Sequence, residues 1–204
     1  MKLDFSKYFS CLPSIETERL LLRQITSSKS DGRDSLEFIN DYSVYRYWGL
    51  FDENRKEDYT NQRPKKQIFL DYHYKETIKE YEAGNELAWV MESKENQKVI
   101  GEFVLYDFQL DMQADIGYRL NKDYWGSGYA TEAGRAVIDF AFNSLRLERL
   151  QIRCFADNIA SVKVAQKLGF SQEGLIRKGV ILNVMTDYYI FGLLKKEFEH
   201  NPVR

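Results

Sequence analysis

Residues 117–133 of the chain read GYRLNKDYWGSGYATEA, and their pattern changes at two closely spaced glycines. The residues up to Leu120 continue an alternating, strand-like pattern. The residues after Gly128 place apolar side chains at three- and four-residue steps, as far as Leu145. This segment therefore predicts a strand, a glycine-containing loop and an amphipathic helix that begins directly at the loop.

The predicted loop has the features of an anion site. The first N–H groups of a helix have no intrahelical partner and lie at the positive end of the helix dipole. Gly126 and Gly128 let the backbone approach a ligand closely, because no Cβ obstructs it. The arrangement suits a phosphate or pyrophosphate. A tight turn without a ligand is the alternative interpretation of Gly-x-Gly alone.

Two named phosphate motifs do not fit this loop. A P-loop requires Gly-Lys followed by Ser or Thr, which is absent. A dinucleotide fingerprint requires a third glycine where Thr131 stands. The loop also lies late in the chain, after predicted antiparallel strands. A dinucleotide-dependent reductase is therefore disfavoured.

Hydrophobic periodicity outward from the loop predicts an alternation of strands and helices. Strands are expected at Arg19–Arg23, Glu86–Met91, Lys98–Phe108, Asp115–Leu120, Leu150–Phe155, Ser171–Arg177 and Val184–Leu193. Helices are expected at Asp34–Tyr47, from Pro64 to a stop at Gly84, along 130–145 and at Ile159–Leu168, with a loop at Arg55–Arg63. This order predicts a single mixed α/β domain over residues 1–204.

Composition excludes several classes of protein. The chain has 204 residues, 29 Lys+Arg against 31 Asp+Glu, and 15% aromatic residues, which disfavours both disorder and nonspecific nucleic-acid binding. No apolar run is long enough to span a membrane, and no secretory signal is visible. Two cysteines favour the cytoplasm, and two histidines exclude a His-rich metal site.

Four segments, in order, resemble the GNAT superfamily of N-acetyltransferases, in particular its ribosomal-protein-alanine acetyltransferase branch. Trp125–Ala133 is similar to motif A, and Asp157–Phe170 is similar to motif B. Ile15–Arg23 resembles the first strand of the branch, while Glu173-Gly174 and Asp187-Tyr188 resemble its tail. The resemblance covers 14–198, so the domain core is expected there, with 1–13 as an N-terminal extension.

The resemblance implies a fold and an activity. The fold would be a mostly antiparallel, twisted sheet of about seven strands, flanked by helices and splayed between the fourth and fifth core strands. The activity would be acetyl-CoA-dependent transfer of an acetyl group to a primary amine, by direct attack in a ternary complex and without a metal. The residues implied for acetyl-CoA are Tyr118, Arg119 and Leu120 for pantetheine, and Trp125, Gly126, Ser127, Gly128, Tyr129 and Ala130 for pyrophosphate.

Asp123 departs from the family pattern, which prefers Gln or Arg three places before the first glycine. Backbone N–H groups bind the pyrophosphate in this family, so the expected loss is small.

The candidate catalytic groups lie outside the loop. Asn158 is a helix N-cap candidate and Ser161 would lie in the first turn. The resemblance directs Asn158 toward CoA and Ser161 toward its sulfur, whereas the alternative is that both only satisfy the helix start. Glu102 and Asp115, each in an apolar strand context, are the candidate bases; the alternative is a solvated residue on a polar strand face.

Several amines are candidate acceptors. The branch resemblance suggests a protein N-terminal amine of the ribosomal type; a polyamine, amino acid or antibiotic and a non-catalytic CoA-binding module are the alternatives. No direct nucleic-acid or membrane partner is expected, and the oligomeric state stays open between a monomer and a homodimer. The acceptor wall expected in this fold is rich in tyrosine: Tyr42, Tyr45, Tyr47, Tyr72, Tyr74 and Tyr81.

Overall fold

The chain forms one twisted sheet with helices on both sides, in a computed structural model that describes residues 8, 11–39, 41–48, 74–75, 77–110, 112–182 and 184–200. The strands are β1 (Ile15–Glu16), β2 (Leu20–Arg23), β3 (Glu86–Ser93), β4 (Val99–Gln109), β5 (Gln113–Leu120), β6 (Arg149–Phe155), β7 (Ser171–Ile181) and β8 (Val184–Leu194). The helices are α1 (Lys29–Ile39), α2 (Tyr42–Tyr45), α3 (77–82), α4 (Tyr129–Asp139), α5 (Ile159–Lys167) and α6 (Lys195–His200).

The sheet order is β1-β2-β3-β4-β5-β6-β8-β7. Each neighbouring pair is antiparallel except β5 and β6, which are parallel. The prediction of a mixed α/β fold with a mostly antiparallel sheet is confirmed. The two-residue strand β1 makes eight strands within the described ranges, against about seven expected.

The parallel strands β5 and β6 are paired over only a short stretch. Their register runs only from Gln113 opposite Arg149 to Asp115 opposite Gln151. Beyond that point, residues 116–120 of β5 stay paired with β4, whereas residues 152–155 of β6 pair with β8. A gap therefore opens between 116–120 and 152–155, called the wedge below. This gap confirms the expected splay, since β5 and β6 are the fourth and fifth core strands counted from β2.

Among the described residues, two hydrophobic cores lie on opposite sides of the sheet. The larger core, on the side called the helix face, packs α4 and α5 against the sheet through Ala133, Val137, Leu168 and Phe103. The approach is close: a Cβ on Gly134 of α4 would lie 2.7 Å from a Leu168 methyl carbon. The smaller core joins α1 and α2 to the opposite side, through side chains that include Phe38, Ile39, Val44 and Val90. Burying each large apolar side chain contributes roughly 1.5–3 kcal/mol.

Two predicted helices differ from the structure. The expected helix Asp34–Tyr47 is instead α1 followed by α2, because the Asp41 carboxylate accepts a hydrogen bond from the Ser43 N–H and so caps a new helix. The stripe expected along 130–145 is α4 followed by a π-helical turn, Phe140–Ser144. That turn keeps Phe140 and Phe142 buried, which a helix-period pattern alone cannot distinguish from a continued α-helix.

The segment between α2 and β3 is described only in part. The predicted loop at 55–63 and the start of the helix predicted from Pro64 lie outside the described residues. Residues 77–82 are helical, and Gly84 follows with φ = 76°, consistent with the predicted helix stop. None of the helices in the described ranges is both long and apolar enough to cross a membrane.

Candidate active site

The glycine loop leaves β5 through a 3₁₀ turn, Lys122–Tyr124, and enters α4 at Tyr129. Gly126 and Gly128 have φ of 75° and 86°, the left-handed region in which a side chain is strained. The first intrahelical bond of α4 is donated by the Glu132 N–H to the Gly128 carbonyl at 3.0 Å. The N–H groups of residues 129–131 therefore precede the intrahelical ladder and are available to an anion.

An ion pair from the other end of the chain holds this loop. Arg19 donates from Nε to Glu132 at 2.7 Å and from Nη1 to the Ser127 carbonyl at 2.9 Å. Its guanidinium also lies 4.2 Å from the centre of the Tyr129 ring. Thr17 donates to the same Glu132 carboxylate at 2.6 Å. Although burial opposes the change, these hydrogen bonds hold the pKa of Glu132 below its usual range.

Sequence reasoning missed the Arg19–Glu132 ion pair. Both residues lie inside segments that carried the family resemblance, which was the one available signal. Their contact joins positions 113 residues apart, and periodicity within either segment does not report it.

The helix face of the wedge brings Tyr118 and Ser161 together. Asn158 caps α5 by accepting the Ser161 N–H at 3.2 Å, as the N-cap prediction required. The Tyr118 hydroxyl donates to Ser161 Oγ at 3.2 Å, which connects β5 to the helix that follows β6. Burial raises the pKa of Tyr118 to about 12. The hydroxyl of Ser161 is therefore part of a two-hydroxyl contact across the wedge.

The opposite side of β5, called the ion-pair face below, carries both candidate bases. Arg119 donates to Glu102 at 2.7 Å, and both side chains are less than 10% exposed. Arg153 donates to the fully buried Asp115 at 2.7 Å, and Gln151 donates to it at 3.1 Å. Burial raises the pKa of Asp115, and the positive charge of Arg153 opposes that rise. Neither carboxylate is solvated on a polar strand face.

A third carboxylate, Glu86, shares the ion-pair face. The register places Glu86 opposite Tyr106, which in turn lies opposite Asp115. Burial raises the pKa of Glu86 to about 7, and the negative charge of Glu102 adds to the effect. Sequence reasoning passed over this residue, because a glutamate at the start of a strand carries no distinguishing pattern.

The chain segment after α2 crosses the wedge on the ion-pair face. At one end the Trp48 ring packs on Gly117 of β5, where a Cβ would lie 3.3 Å from it. At the other end Tyr47 packs on Phe155 of β6 with ring centroids 5.6 Å apart, and Arg46 pairs with Asp157 at 3.0 Å. Tyr47 belongs to the tyrosine-rich acceptor wall expected from the sequence, a role that stays a prediction.

Among the described residues, the buried Cys154 has no catalytic partner. Cys154 is buried in the larger core, and burial raises the pKa of its thiol to about 12, which suits the predicted core role. His73 lies outside the described residues. Within the described part of the chain, no three His, Cys, Asp or Glu residues are grouped so that they could hold a metal ion.

Comparison with known families identifies the chain. Residues 19–171 match the family model described as an acetyltransferase (GNAT) domain. The chain belongs to the GNAT acetyltransferase family. An uncharacterized N-acetyltransferase of Bacillus subtilis, YoaA, is 31% identical over 84% of this chain and 90% of its own length. These matches confirm the predicted family and the predicted class of N-acetyltransferase.

Other GNAT relatives match over shorter segments. An uncharacterized N-acetyltransferase of Bacillus licheniformis, p20, is 39% identical over 52% of this chain and 60% of its own length. The ribosomal-protein-serine acetyltransferase of Escherichia coli is 36% identical over 36% of this chain and 41% of its own length. The similarity to these two proteins therefore covers only part of each.

Solved GNAT structures share the fold. A GNAT-family acetyltransferase from Bacillus anthracis superposes with a TM-score of 0.70 at 23% identity, covering 90% of this chain and 99% of its own. A ribosomal alpha-N-protein acetyltransferase solved in complex with coenzyme A superposes with a TM-score of 0.73 at 19% identity, covering 89% of this chain and 98% of its own. At these identities the likeness supports the fold alone.

Proposed function

We propose that this GNAT protein transfers an acetyl group from acetyl-CoA to a primary amine, by direct attack when both substrates are bound. The observation that carries the proposal is the wedge, which ends at a left-handed glycine loop and has Ser161 on its helix face. The coenzyme A named with one of the similar structures supports the choice of acyl donor.

The residues present fit acetyl-CoA. Tyr118, Arg119 and Leu120 offer backbone groups along the wedge, where β5 has left β6. The amides of Trp125, Gly126, Ser127, Gly128, Tyr129 and Ala130 would hold the pyrophosphate. A Cβ on Gly126 would meet no heavy atom within 4 Å, so the space beside the loop is open. Asn158 at the start of α5 would contact the pantetheine side.

The chemistry needs an uncharged amine and a stabilised leaving group. Acetyl-CoA supplies an activated thioester when bound. The nitrogen lone pair forms the C–N bond, the C–S bond breaks with its electrons going to sulfur, and the amine proton passes to a base. Ser161 would donate a hydrogen bond to the sulfur, since a serine hydroxyl is too weak an acid to protonate it fully.

Asp115 is the favoured base of the two proposed. It lies where β5 and β6 separate, and its raised pKa increases its affinity for the amine proton. Glu102 lies farther along the same face, in an ion pair of the same 2.7 Å length whose arginine, Arg119, is 5% exposed against 31% for Arg153. Each carboxylate would act directly or through a water molecule.

The proposed acceptor is a protein N-terminal amine of the ribosomal type. Names of similar proteins support it: one is a ribosomal-protein-serine acetyltransferase and another a ribosomal alpha-N-protein acetyltransferase. Transfer to a small-molecule amine uses the same wedge. A non-catalytic CoA-binding module is the second candidate, because ion pairs hold both carboxylates proposed as bases.

A thiol-release assay tests the proposal. Acetyl-CoA is combined with N-terminal peptides of ribosomal proteins, polyamines, amino acids and aminoglycosides, and the melting temperature is measured in parallel. A shift with thiol release on a peptide supports the proposed function. Release only on a small amine reassigns the acceptor, and a shift without release on any amine supports the binding module. No shift at millimolar acetyl-CoA contradicts both.

Compartment and assembly stay predictions. Cys11 and Cys154 are free thiols, which suits the proposed cytoplasmic location. A homodimer, which the sequence left open, would bury apolar side chains exposed on β7 and β8, such as Val180 and Met185. Analytical ultracentrifugation across a range of protein concentrations checks this expectation.

A further inference from the structure

The Tyr118 side chain is held rigidly on the helix face of the wedge. Its ring stacks on Phe103 with centroids 5.3 Å apart and an interplanar angle of 11°. Phe103 is fully buried, so this support is fixed by the larger core. The Tyr118 hydroxyl is thereby presented to Ser161 Oγ at 3.2 Å.

The direction of this hydrogen bond determines what Ser161 can do. A phenol is more acidic than an aliphatic alcohol and is the better donor. Because burial raises the pKa of Tyr118 to about 12, the phenol keeps its proton at neutral pH. Tyr118 therefore donates and Ser161 Oγ accepts. A serine hydroxyl has a single proton, and this bond does not use it.

No protein acceptor in the described ranges takes the Ser161 proton. The Ser161 backbone N–H donates to Asn158 Oδ1 at 3.2 Å, a bond that does not involve the hydroxyl. The hydroxyl proton is consequently available to a ligand in the wedge. Donation into Oγ also polarises the Ser161 O–H, since hydrogen bonds in a chain strengthen one another.

We infer that Tyr118 is a positioning residue: by donating to Ser161 Oγ, it directs the Ser161 proton to the sulfur of bound coenzyme A. The inference rests on the proposed function. Both hydroxyls keep their protons, and the electron pair of the broken C–S bond ends on sulfur as a thiolate that accepts the Ser161 hydrogen bond. Tyr118 acts through Ser161 and does not touch the sulfur itself.

Coenzyme A binding tests the inference without an acceptor. The pKa of the bound coenzyme A thiol is measured from thiolate absorbance for the wild-type protein, Tyr118→Phe, Ser161→Ala and the double variant. S-methyl-coenzyme A, which has no ionisable thiol, controls for changes in general affinity. Tyr118→Phe keeps the ring on Phe103 and removes only the hydroxyl.

The expected thiol pKa is lowest in the wild-type protein, higher in Tyr118→Phe and highest in Ser161→Ala. The double variant should match Ser161→Ala alone, because a group that acts through Ser161 has no effect once Ser161 is removed. Affinity for S-methyl-coenzyme A should stay within about twofold for Tyr118→Phe, because the Tyr118 hydroxyl makes no proposed contact of its own with the coenzyme.

A second readout uses turnover with the acceptor found in the thiol-release screen. Tyr118→Phe should lower kcat about fivefold, the effect of one net hydrogen bond, with the KM for acetyl-CoA unchanged. Tyr189→Phe on β8 is the matched control, because its ring packs on Phe191 and its hydroxyl bonds no described residue. This control should leave both constants unchanged.

Three results would overturn the inference. The first is a thiol pKa in Tyr118→Phe equal to that of the wild-type protein. The second is a loss of equal size from Tyr118→Phe with and without Ser161. The third is a KM effect with unchanged kcat. If the wild-type protein fails to bind coenzyme A, the proposed function is what fails and the inference falls with it.

Discussion

The two sides of β5 differ in the chemistry that they present to the wedge. On the helix face the groups are neutral: backbone amides of the loop, the Tyr118 phenol and the Ser161 hydroxyl. On the ion-pair face they are charged: Glu102 with Arg119, and Asp115 with Arg153. Preorganised dipoles can hold an anion and a thiolate, whereas moving a proton needs a group that changes charge. In the proposed function, β5 would therefore separate acetyl-CoA binding on one face from proton transfer on the other.

The largest effect is expected when the glycine loop beside the helix face is distorted. In Gly128→Val, a β-branched residue must adopt φ near 86°, and the amides of the first turn of α4 are displaced. Affinity for acetyl-CoA should fall by about 100-fold or more, since strain of ~3 kcal/mol accounts for that factor. Isothermal titration calorimetry measures it. Gly174→Ala is the control, because a Cβ there meets no atom within 4 Å; an unchanged affinity in Gly128→Val would contradict the loop assignment.

The next largest effect is expected when a candidate base on the ion-pair face is replaced. Asp115→Asn should lower kcat/KM by about 100-fold, the lower range for loss of a general base, while acetyl-CoA affinity is retained. In the wild-type protein, activity should fall as pH drops through the raised pKa of Asp115, because the protonated carboxyl cannot accept the amine proton. A pH–rate profile records this acidic limb, which Asp115→Asn should abolish.

Glu102→Gln separates the two proposed bases. If Asp115 is the base, Glu102→Gln should keep the acidic limb of the profile and lose less activity than Asp115→Asn. Full activity in Asp115→Asn with the limb lost in Glu102→Gln would transfer the role to Glu102. Thermal melting of both variants controls for the arginine that each leaves without its carboxylate partner.

A smaller effect is expected when the ion pair that holds the glycine loop is removed. Arg19→Ala removes the bonds to Glu132 and Ser127, so the loop should lose its fixed shape without losing its amides. The KM for acetyl-CoA should rise about tenfold, equal to ~1.4 kcal/mol, while kcat stays constant. Arg33→Ala, at an exposed arginine on α1, is the control. A change in kcat alone would place Arg19 with the chemistry instead.

The smallest effect concerns the pH dependence of folding stability that Glu86, on the ion-pair face, produces. A carboxyl whose folded pKa is raised to about 7 from the ordinary 4.5 binds its proton more tightly in the folded state, so stability falls as pH rises between those values. Glu86→Gln removes this loss. The variant should be more stable than the wild-type protein at pH 8 by on the order of 1 kcal/mol, a figure reduced for partial exposure. Below pH 4.5 the difference should vanish; urea unfolding at both pH values measures it.

The conformation of the glycine loop was largely predictable from sequence, whereas the Arg19–Glu132 ion pair that holds it was not. Glycines at 126 and 128 followed by a helical stripe indicated the loop and the start of the helix, because backbone conformation is a local property; the anion site itself stays a prediction. The break between α1 and α2 escaped prediction, since the cap at Asp41 competes with a continuing helical pattern. The π-helical turn after α4 escaped for the same reason.

The surroundings of the two candidate bases could not be predicted from sequence. Glu102 and Asp115 were recognised as carboxylates in apolar strands, but each could equally have been solvated. The register of β4, β5 and β6 put arginines beside both of them and placed Glu86 on the same side. Whether a carboxylate is ion-paired or free depends on the neighbouring strand, which the pattern of its own strand does not specify.

The sequence by itself determined the order of the seven longer strands, the glycine loop and the GNAT family, because each of these is recognised from patterns within short segments. The tertiary structure alone decided that Tyr118 meets Ser161 across 43 positions and that Arg19 meets Glu132 across 113. It also decided where β5 leaves β6. Such contacts follow from how strands pair and helices pack. Their energies depend on how deeply the groups are buried, which a short segment of sequence does not specify.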